Sequence, residues 1–229
     1  MMAMNFILSR RSGFSRDHVA IGSRLKPLLQ LLCIALLFAF ACAQASTPGA
    51  GVRARLGNAP VLRGQFEQEK HLQGFKKPLL SKGDFLLARD RGVVWNTRSP
   101  FASTLVLTKQ RLLTRQADGS THTVAGQSAS PAISTANALL MALLGGDIET
   151  LSRQFDLQET LAADNSWKLQ LVPKQGALKK IFKRIELQGD QYVRSVHLDE
   201  IRGDVTDIRF QQLRDTPASL SAEEAKQFD

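Results

Sequence analysis

Cysteine is almost missing from this chain of 229 residues: there are two, Cys33 and Cys42, and both stand within the first 45. Residues 46–229 therefore hold no thiol for a disulfide, a thiolate metal site or a nucleophile. Histidine is scarce too. His71, His122 and His197 lie far apart, none in an H-x-x-x-H or H-E-x-x-H frame and none beside a carboxylate cluster, so no metal ligand set is legible. Each reads as a solvated strand residue. There is no G-x-S-x-G elbow and no S-x-x-K in a suitable context. No glycine-rich phosphate loop appears either, since Gly145-Gly146-Asp147 follows a helical pattern instead of opening one after a strand. Glu67, Glu69, Asp84 and Asp90 are acids on neighbouring strand-like segments, where such residues ordinarily point to water. An enzyme has no residue to stand on, and no cofactor is implied.

What is present begins with a leader. Arg10, Arg11, Arg16, Arg24 and Lys26 face a single acid, Asp17, and Leu28 to Cys42 is apolar apart from Gln30. Ala43-Gln44-Ala45 follows. A basic flank, an apolar run of about fifteen residues and an A-x-A site form a secretory signal. Such a run is shorter than the roughly twenty residues of a membrane span, and no other segment approaches that length. The expected division is a cleaved signal over 1–45 and a single domain over 46–229, long enough to bury a sizeable core. Three alternatives stay open: a retained anchor helix, a twin-arginine signal at Ser9-Arg10-Arg11, and a start nearer Val19 or Ile21. A lipid anchor at Cys42 is disfavoured, because Ala39-Phe40-Ala41 puts a bulky residue where a lipoprotein signal has Leu-small-small.

Charge is modest once the leader is set aside. It holds five of the thirty Lys+Arg and one of the twenty-one Asp+Glu, leaving 25 − 20 = +5 for residues 46–229. That favours anionic lipid surfaces or acidic partners. Nucleic acid is excluded, because the aromatics do not interleave with the charges as a stacking platform requires.

Short segments rich in β-branched, Leu or aromatic residues then follow one another: Val61–Leu72, Leu79–Ala88, Gly92–Thr97, Ser103–Thr108 and Arg111–Arg115. Gly74, Pro78, Pro100 and Asp118-Gly119 supply the turns, and the spacing predicts an antiparallel sheet. A short helix around Val52–Gly57 precedes it. Phe85-Leu86-Leu87, Val93-Val94-Trp95 and Leu105-Val106-Leu107 place apolar residues on both sheet faces. Both must be dry: helices inside and a partner outside, or a sandwich.

The period changes mid-chain. Ser134-Thr135 can cap a helix over Ala136–Leu144, ended by Gly145-Gly146, and Asp147 can cap a second through Ile148, Leu151 and Phe155. Two short apolar helices inside a meander suggest a lid or plug more than a βαβ crossover. Strands resume at Leu157–Ala162, Trp167–Val172, Ile185–Leu187, Tyr192–Leu198 and Val205–Phe210, while Gln175–Lys183 allows a helical turn or strand. Ser221 and Glu224 form a capping box for a terminal helix over Ser221–Phe228.

Phe66-Glu67-Gln68, Gly83-Asp84 leading to Arg89, Trp95 and Pro100-Phe101 stand in an order that resembles the LolA-type outer-membrane lipoprotein carriers. Their pattern is a Phe-x-Gln strand, a Gly-Asp-x-x-x-x-Arg run, then Trp before a Pro turn. The apolar helix pair, Leu171-Val172-Pro173-Lys174 and the Asp204–Phe210 strand continue the similarity over most of residues 60–213. Two departures stand out: the family's Arg-Pro is Arg89-Asp90 here, and its later aromatic strand is Leu112-Leu113-Thr114. Asp90 is free to pair with Arg91 or to compete for Arg89.

The resemblance implies a mainly β fold: a strongly curved antiparallel sheet, or incomplete β-barrel of the LolA/LolB type, with short helices as a lid over the concave face. It implies a soluble, monomeric periplasmic carrier for the acyl chains of a lipoprotein or related lipid. An inner-membrane donor complex and an outer-membrane acceptor are implied as partners. A glycolipid or other acylated product as cargo, and a non-lipid adaptor domain, are the alternatives. Arg89 matches the arginine that bonds the lid and holds the empty carrier closed. Phe66, Phe85, Leu87, Trp95, Leu105, Leu107, Leu140 and Leu143 are the expected acyl-cavity lining, against an ordinary packed core. Phe75, Leu79 and Leu80, in the basic segment Gly74–Lys82, form a possible contact to a membrane or partner, or else fold back as strand.

Overall fold

Alternating apolar residues and tight turns from Val61 to Arg214 produce one antiparallel meander. The computed structural model describes residues 47–108, 111–125, 139 and 141–229. Its strands are β1 (Val61–His71), β2 (Leu79–Ala88), β3 (Gly92–Ser99), β4 (Ser103–Thr108), β5 (Leu112–Gln116), β6 (Thr121–Ala125), β7 (Phe155–Leu161), β8 (Trp167–Pro173), β9 (Phe182–Gly189), β10 (Val193–Glu200) and β11 (Val205–Arg214). They form one sheet in the order β6-β5-β4-β3-β2-β1-β11-β10-β9-β8-β7, so β6 and β7 are its two edges. The first and last strands pair at its centre, Phe66 opposite Phe210.

Among the described residues the helical segments are α1 (Ala50–Arg55), α2 (139 and 141–145), α3 (Ile148–Gln154), α4 (Gly176–Ile181) and α5 (Ala222–Lys226). Asp147 caps α3 through the Thr150 amide (3.1 Å), as its position suggests. Ser221 and Glu224 close the capping box of α5 at 3.1 and 2.8 Å.

The sheet bends around its helices. Leu107 of β4 and Leu169 of β8 share one buried cluster with Val52 and Leu151 of α1 and α3. Seven strand spacings separate β4 from β8, roughly 34 Å if the sheet were flat. The cluster takes in every strand between them, through Val93, Phe85, Phe66, Phe210, Val196 and Leu187, so one apolar face runs unbroken beneath the helices. Among the described residues, that concave side is covered by short helices rather than by a second sheet.

The second apolar face has its own explanation. Leu86, Val94 and Val106 point to the convex side, where they form a separate cluster with Val61, Ala88, Leu113 and Phe228. The cover is therefore neither a partner nor a sandwich layer, but the chain's own C-terminus. Arg63 holds it by a two-pronged bond to Glu224 (2.5 and 2.8 Å) and by the Pro217 and Ser219 carbonyls. Arg111 and Arg115 bind the carbonyls of Phe228, Asp229 and Gln227.

Several boundaries differ from the expectations. Strand β6 extends the sheet beyond the expected segments, since Thr121–Ala125 is polar at its start and does not read as a strand. Phe155 opens β7 instead of ending α3, its amide still bonding back to Leu151 as it turns extended. Gln175–Lys183 divides into α4 and the start of β9. The proposed cap at Ser134-Thr135 lies outside the described residues.

Candidate functional site

The site is built on the concave face of β2. Alternation sends Gly83, Phe85, Leu87 and, just past the strand, Arg89 to one side, while Asp84 and Leu86 go to the other. Asp84 pairs with Arg98 (2.7 Å) and accepts from Asn96 (3.0 Å) on the convex side. Phe66 lies opposite Gly83 in the register. A β-carbon at Gly83 would run into the Asn96 carbonyl and sit 2.8 Å from the Phe66 ring, so the motif glycine lets that ring lie flat on the sheet.

Four rings from adjacent strands floor the concave side. Phe66 stacks on Trp95 at 3.8 Å, Phe85 lies 6.1 Å from Trp95, and Phe210 meets Phe85 edge-on at 5.2 Å. Leu87, Leu107 and Leu143 are buried in the same cluster, and Leu105 is half-buried beside Trp95 and Thr114. Leu140 lies outside the described residues. The structure adds Phe210, and on the far wing Leu169, Leu171, Ile185 and Leu187. Their signal was the clean alternation of Trp167-Lys168-Leu169-Gln170-Leu171, whose buried face is the odd-numbered one.

Arg89 stands at the bottom of this face. Its Nε donates to the Ala59 carbonyl (2.8 Å), and its Nη2 to the carbonyls of Gly57 (3.3 Å) and Gly145 (3.0 Å). One guanidinium thus ties the end of β2 to the α1–β1 loop and to the end of α2. Gly146, at φ 65°, makes the left-handed turn that points the Gly145 carbonyl at it. Asp90 pairs with neither Arg89 nor Arg91 among the described residues, and Arg91 turns instead to the Ala225 carbonyl (3.4 Å). The space left around Arg89, between Leu56, Leu62, Leu144 and Tyr192, is about 10 Å³. That is one water's worth. At its rim the Tyr192 hydroxyl donates to Asp215 (2.6 Å), and that bond together with burial pushes the phenol up to about 12.

Phe75, Leu79 and Leu80 belong to another region. Leu79 opens β2 and Arg89 follows its end, so about 30 Å of strand separates them. Leu79 and Leu80 do fold back as strand, yet they are 58% and 57% exposed, and Phe75 in the turn is 72% exposed. Among the described residues no group of three acids or histidines is placed to hold a metal ion, and no helix is long and apolar enough to cross a membrane.

The family model of the outer membrane lipoprotein carrier protein LolA matches residues 58–224. The chain belongs to the LolA family. The matched span runs from the residue before Ala59 to Glu224 of the capping box, so it takes in Arg89, the four rings and most of the C-terminal cover. No curated protein matches the chain. Among solved structures it is similar to a DUF1329 family protein from Desulfovibrio piger ATCC 29098, at 15% identity and a TM-score of 0.46 over 78% of this chain and 94% of that one. It is similar to a LolA superfamily protein from Nitrosomonas europaea, at 10% identity and 0.42 over the same shares. MucB is similar at 18% identity and 0.35, over 75% of this chain and 60% of that one.

Proposed function

We propose that this LolA-family protein is a carrier that takes up the acyl chains of a lipoprotein or related lipid on the concave side of its sheet and ferries them towards the outer membrane. Residues 1–45 serve as its export signal, and residues 46–229 work in the periplasm as a monomer between an inner-membrane donor and an outer-membrane acceptor. The observation that carries the reading is the tie from Arg89 to the Gly145 carbonyl. It joins the sheet to α2, whereas α1 and α3 are tied down by bonds of their own, such as the Val52 amide to Glu159 and Lys174 to the Ser152 carbonyl. Each buried methylene contributes roughly 0.8 kcal/mol, so two or three acyl chains need an apolar shelter to cross water. Covering helices that lift off the rings of Phe66, Phe85, Trp95 and Phe210 would supply that shelter.

A second reading, an adaptor domain with a permanently filled core, draws on the tight stack of Phe66 on Trp95. One experiment separates the two. Protein purified from the periplasm is subjected to organic extraction and native mass spectrometry, then titrated with a fluorescent fatty acid. Co-purifying acyl species and saturable probe binding are the expected result. A lipid-free protein that never takes up the probe establishes the adaptor.

A further inference from the structure

We propose that the end of the sheet opposite Arg89 is a docking surface for an anionic lipid bilayer, formed by the β1–β2 turn together with α4 and the β10–β11 turn. It rests on the carrier reading only for the reason a bilayer would be visited. The three segments are contiguous: the Gln73 amide donates to Asp204 (2.9 Å), and the Ile201 amide donates to the Ile181 carbonyl (2.8 Å). From this edge Phe75, Ile181 and Ile201 protrude at 72%, 47% and 48% exposure. Isolated exposed apolar side chains are ordinary, but three on neighbouring tips, with Leu79 and Leu80 behind Phe75, make a patch.

Charge identifies the occupant. The acids of these tips are already matched: Glu200 and Asp204 face Lys70 (3.2 and 4.0 Å), and Asp199 faces Lys183 and Arg184 (3.7 and 3.6 Å). Lys76, Lys77, Lys179, Lys180 and Arg202 flank the apolar tips, are exposed, and make no ion pair among the described residues. Five cations without an ion pair thus ring the protruding tips, whose own acids are matched. Aromatic and aliphatic tips ringed by unpaired lysines match a negatively charged interface, where apolar side chains enter the acyl boundary and the cations are drawn to the anionic headgroups. A zwitterionic surface would leave the lysines unrewarded, and an acidic protein groove would leave Phe75 so.

The test is vesicle flotation of the full chain as the cell processes it, with phosphatidylcholine vesicles and with phosphatidylcholine mixed with phosphatidylglycerol. Binding is expected to the mixed vesicles alone and to weaken as salt is raised to about 0.5 M. Lys76→Glu with Lys77→Glu should lower it at least about tenfold, and Phe75→Ser should lower it without changing the salt dependence. Circular dichroism and fatty-acid probe binding should match the wild type in both variants, since neither position touches the concave face. Equal binding to both vesicle types, no binding to either, or unchanged binding by the Lys76/Lys77 variant overturns the proposal. Loss of cargo delivery in these variants without vesicle binding transfers the surface to an acidic protein partner, which overturns it too. Loss of probe binding in the wild type strikes the carrier reading and leaves the docking result standing.

Discussion

Arg89 makes its three bonds to carbonyl oxygens that no other side chain competes for among the described residues. Each of these bonds already has a charged donor, and a carboxylate partner would add the second charge and a two-pronged geometry that fix a guanidinium more firmly. Neutral acceptors leave a bond strong enough to bias a cover closed and weak enough to release. Arg89→Leu removes all three, of which the one to Gly145 ties α2 and, made by a charged group, is worth about 1.5–3 kcal/mol. On the proposed carrier reading the closed, empty state competes with cargo, so weakening it favours the loaded one. The variant should bind a fluorescent fatty acid more tightly and release it to acceptor vesicles at least about fivefold more slowly, in line with a coupling of 1–3 kcal/mol. Release at the wild-type rate would remove the role assigned to Arg89. At Gly83 the constraint is steric. Gly83→Ala forces a β-carbon against the Asn96 carbonyl and the Phe66 ring, and overpacking of this kind costs about 1–3 kcal/mol. Thermal unfolding should show it as a midpoint several degrees lower, whereas an unchanged midpoint would mean β2 and β3 can separate freely there.

At the scale of elements, the C-terminal segment is the unexpected part. Its helix was legible in Ser221 and Glu224, because a capping box is a local signal. Its destination was not, since which face it covers depends on Arg63, about 160 residues away. The doubly apolar segments of β2, β3 and β4 announced that something must cover the convex side, without saying what. The same limit explains the other misses. Strand spacing and turn chemistry are local and located the meander, whereas the pairing of β1 with β11, and with it Phe210 beside Phe85, arises from long-range register. The clasp makes a pH prediction. Bonding to Arg63 holds the Glu224 carboxyl down to about 2, from an ordinary 4.5. A depressed carboxylate stabilises the fold fully above its unfolded value, and the contribution disappears as pH falls from about 4.5 towards 2. With its side chain 22% exposed, solvent screening leaves about 1–2 kcal/mol at neutral pH. Glu224→Gln should therefore lower stability in urea at pH 7 by about that amount and match the wild type near pH 2. Phe228→Ala should cost about 3 kcal/mol at either pH, because burial does not titrate. A Glu224→Gln deficit that persists at low pH would place the effect in the cap of α5 rather than in the ion pair.

For the whole molecule, the difficulty is that a carrier's shelter is filled by its own side chains when empty. Phe66 is 1% exposed and lies against Trp95, so an acyl chain reaching the floor of the concave face must displace helices and then part those rings. The uncovered apolar area is then covered again by hydrocarbon, and the net affinity is the difference between two similar burials. That balance is what a reversible carrier requires, because a preformed dry cavity would bind tightly and release slowly. It also makes the chain its own reporter. There are two tryptophans, Trp95 within the rings and Trp167, whose Nε1 donates to the Asp190 carbonyl (2.6 Å) near the opposite end of β8 from the α3–β7 junction. Titration with a non-fluorescent fatty acid should shift the emission of Trp95 as its stack with Phe66 opens, and should leave Trp167 nearly constant. The change should survive Trp167→Phe and vanish in Trp95→Phe, provided both variants still raise their unfolding midpoint with ligand, as any molecule that binds the folded state must make them do. A midpoint that rises while Trp95 emission stays fixed would put the acyl chain elsewhere on the sheet, with the stacked rings serving as a rigid base rather than as the floor of a shelter.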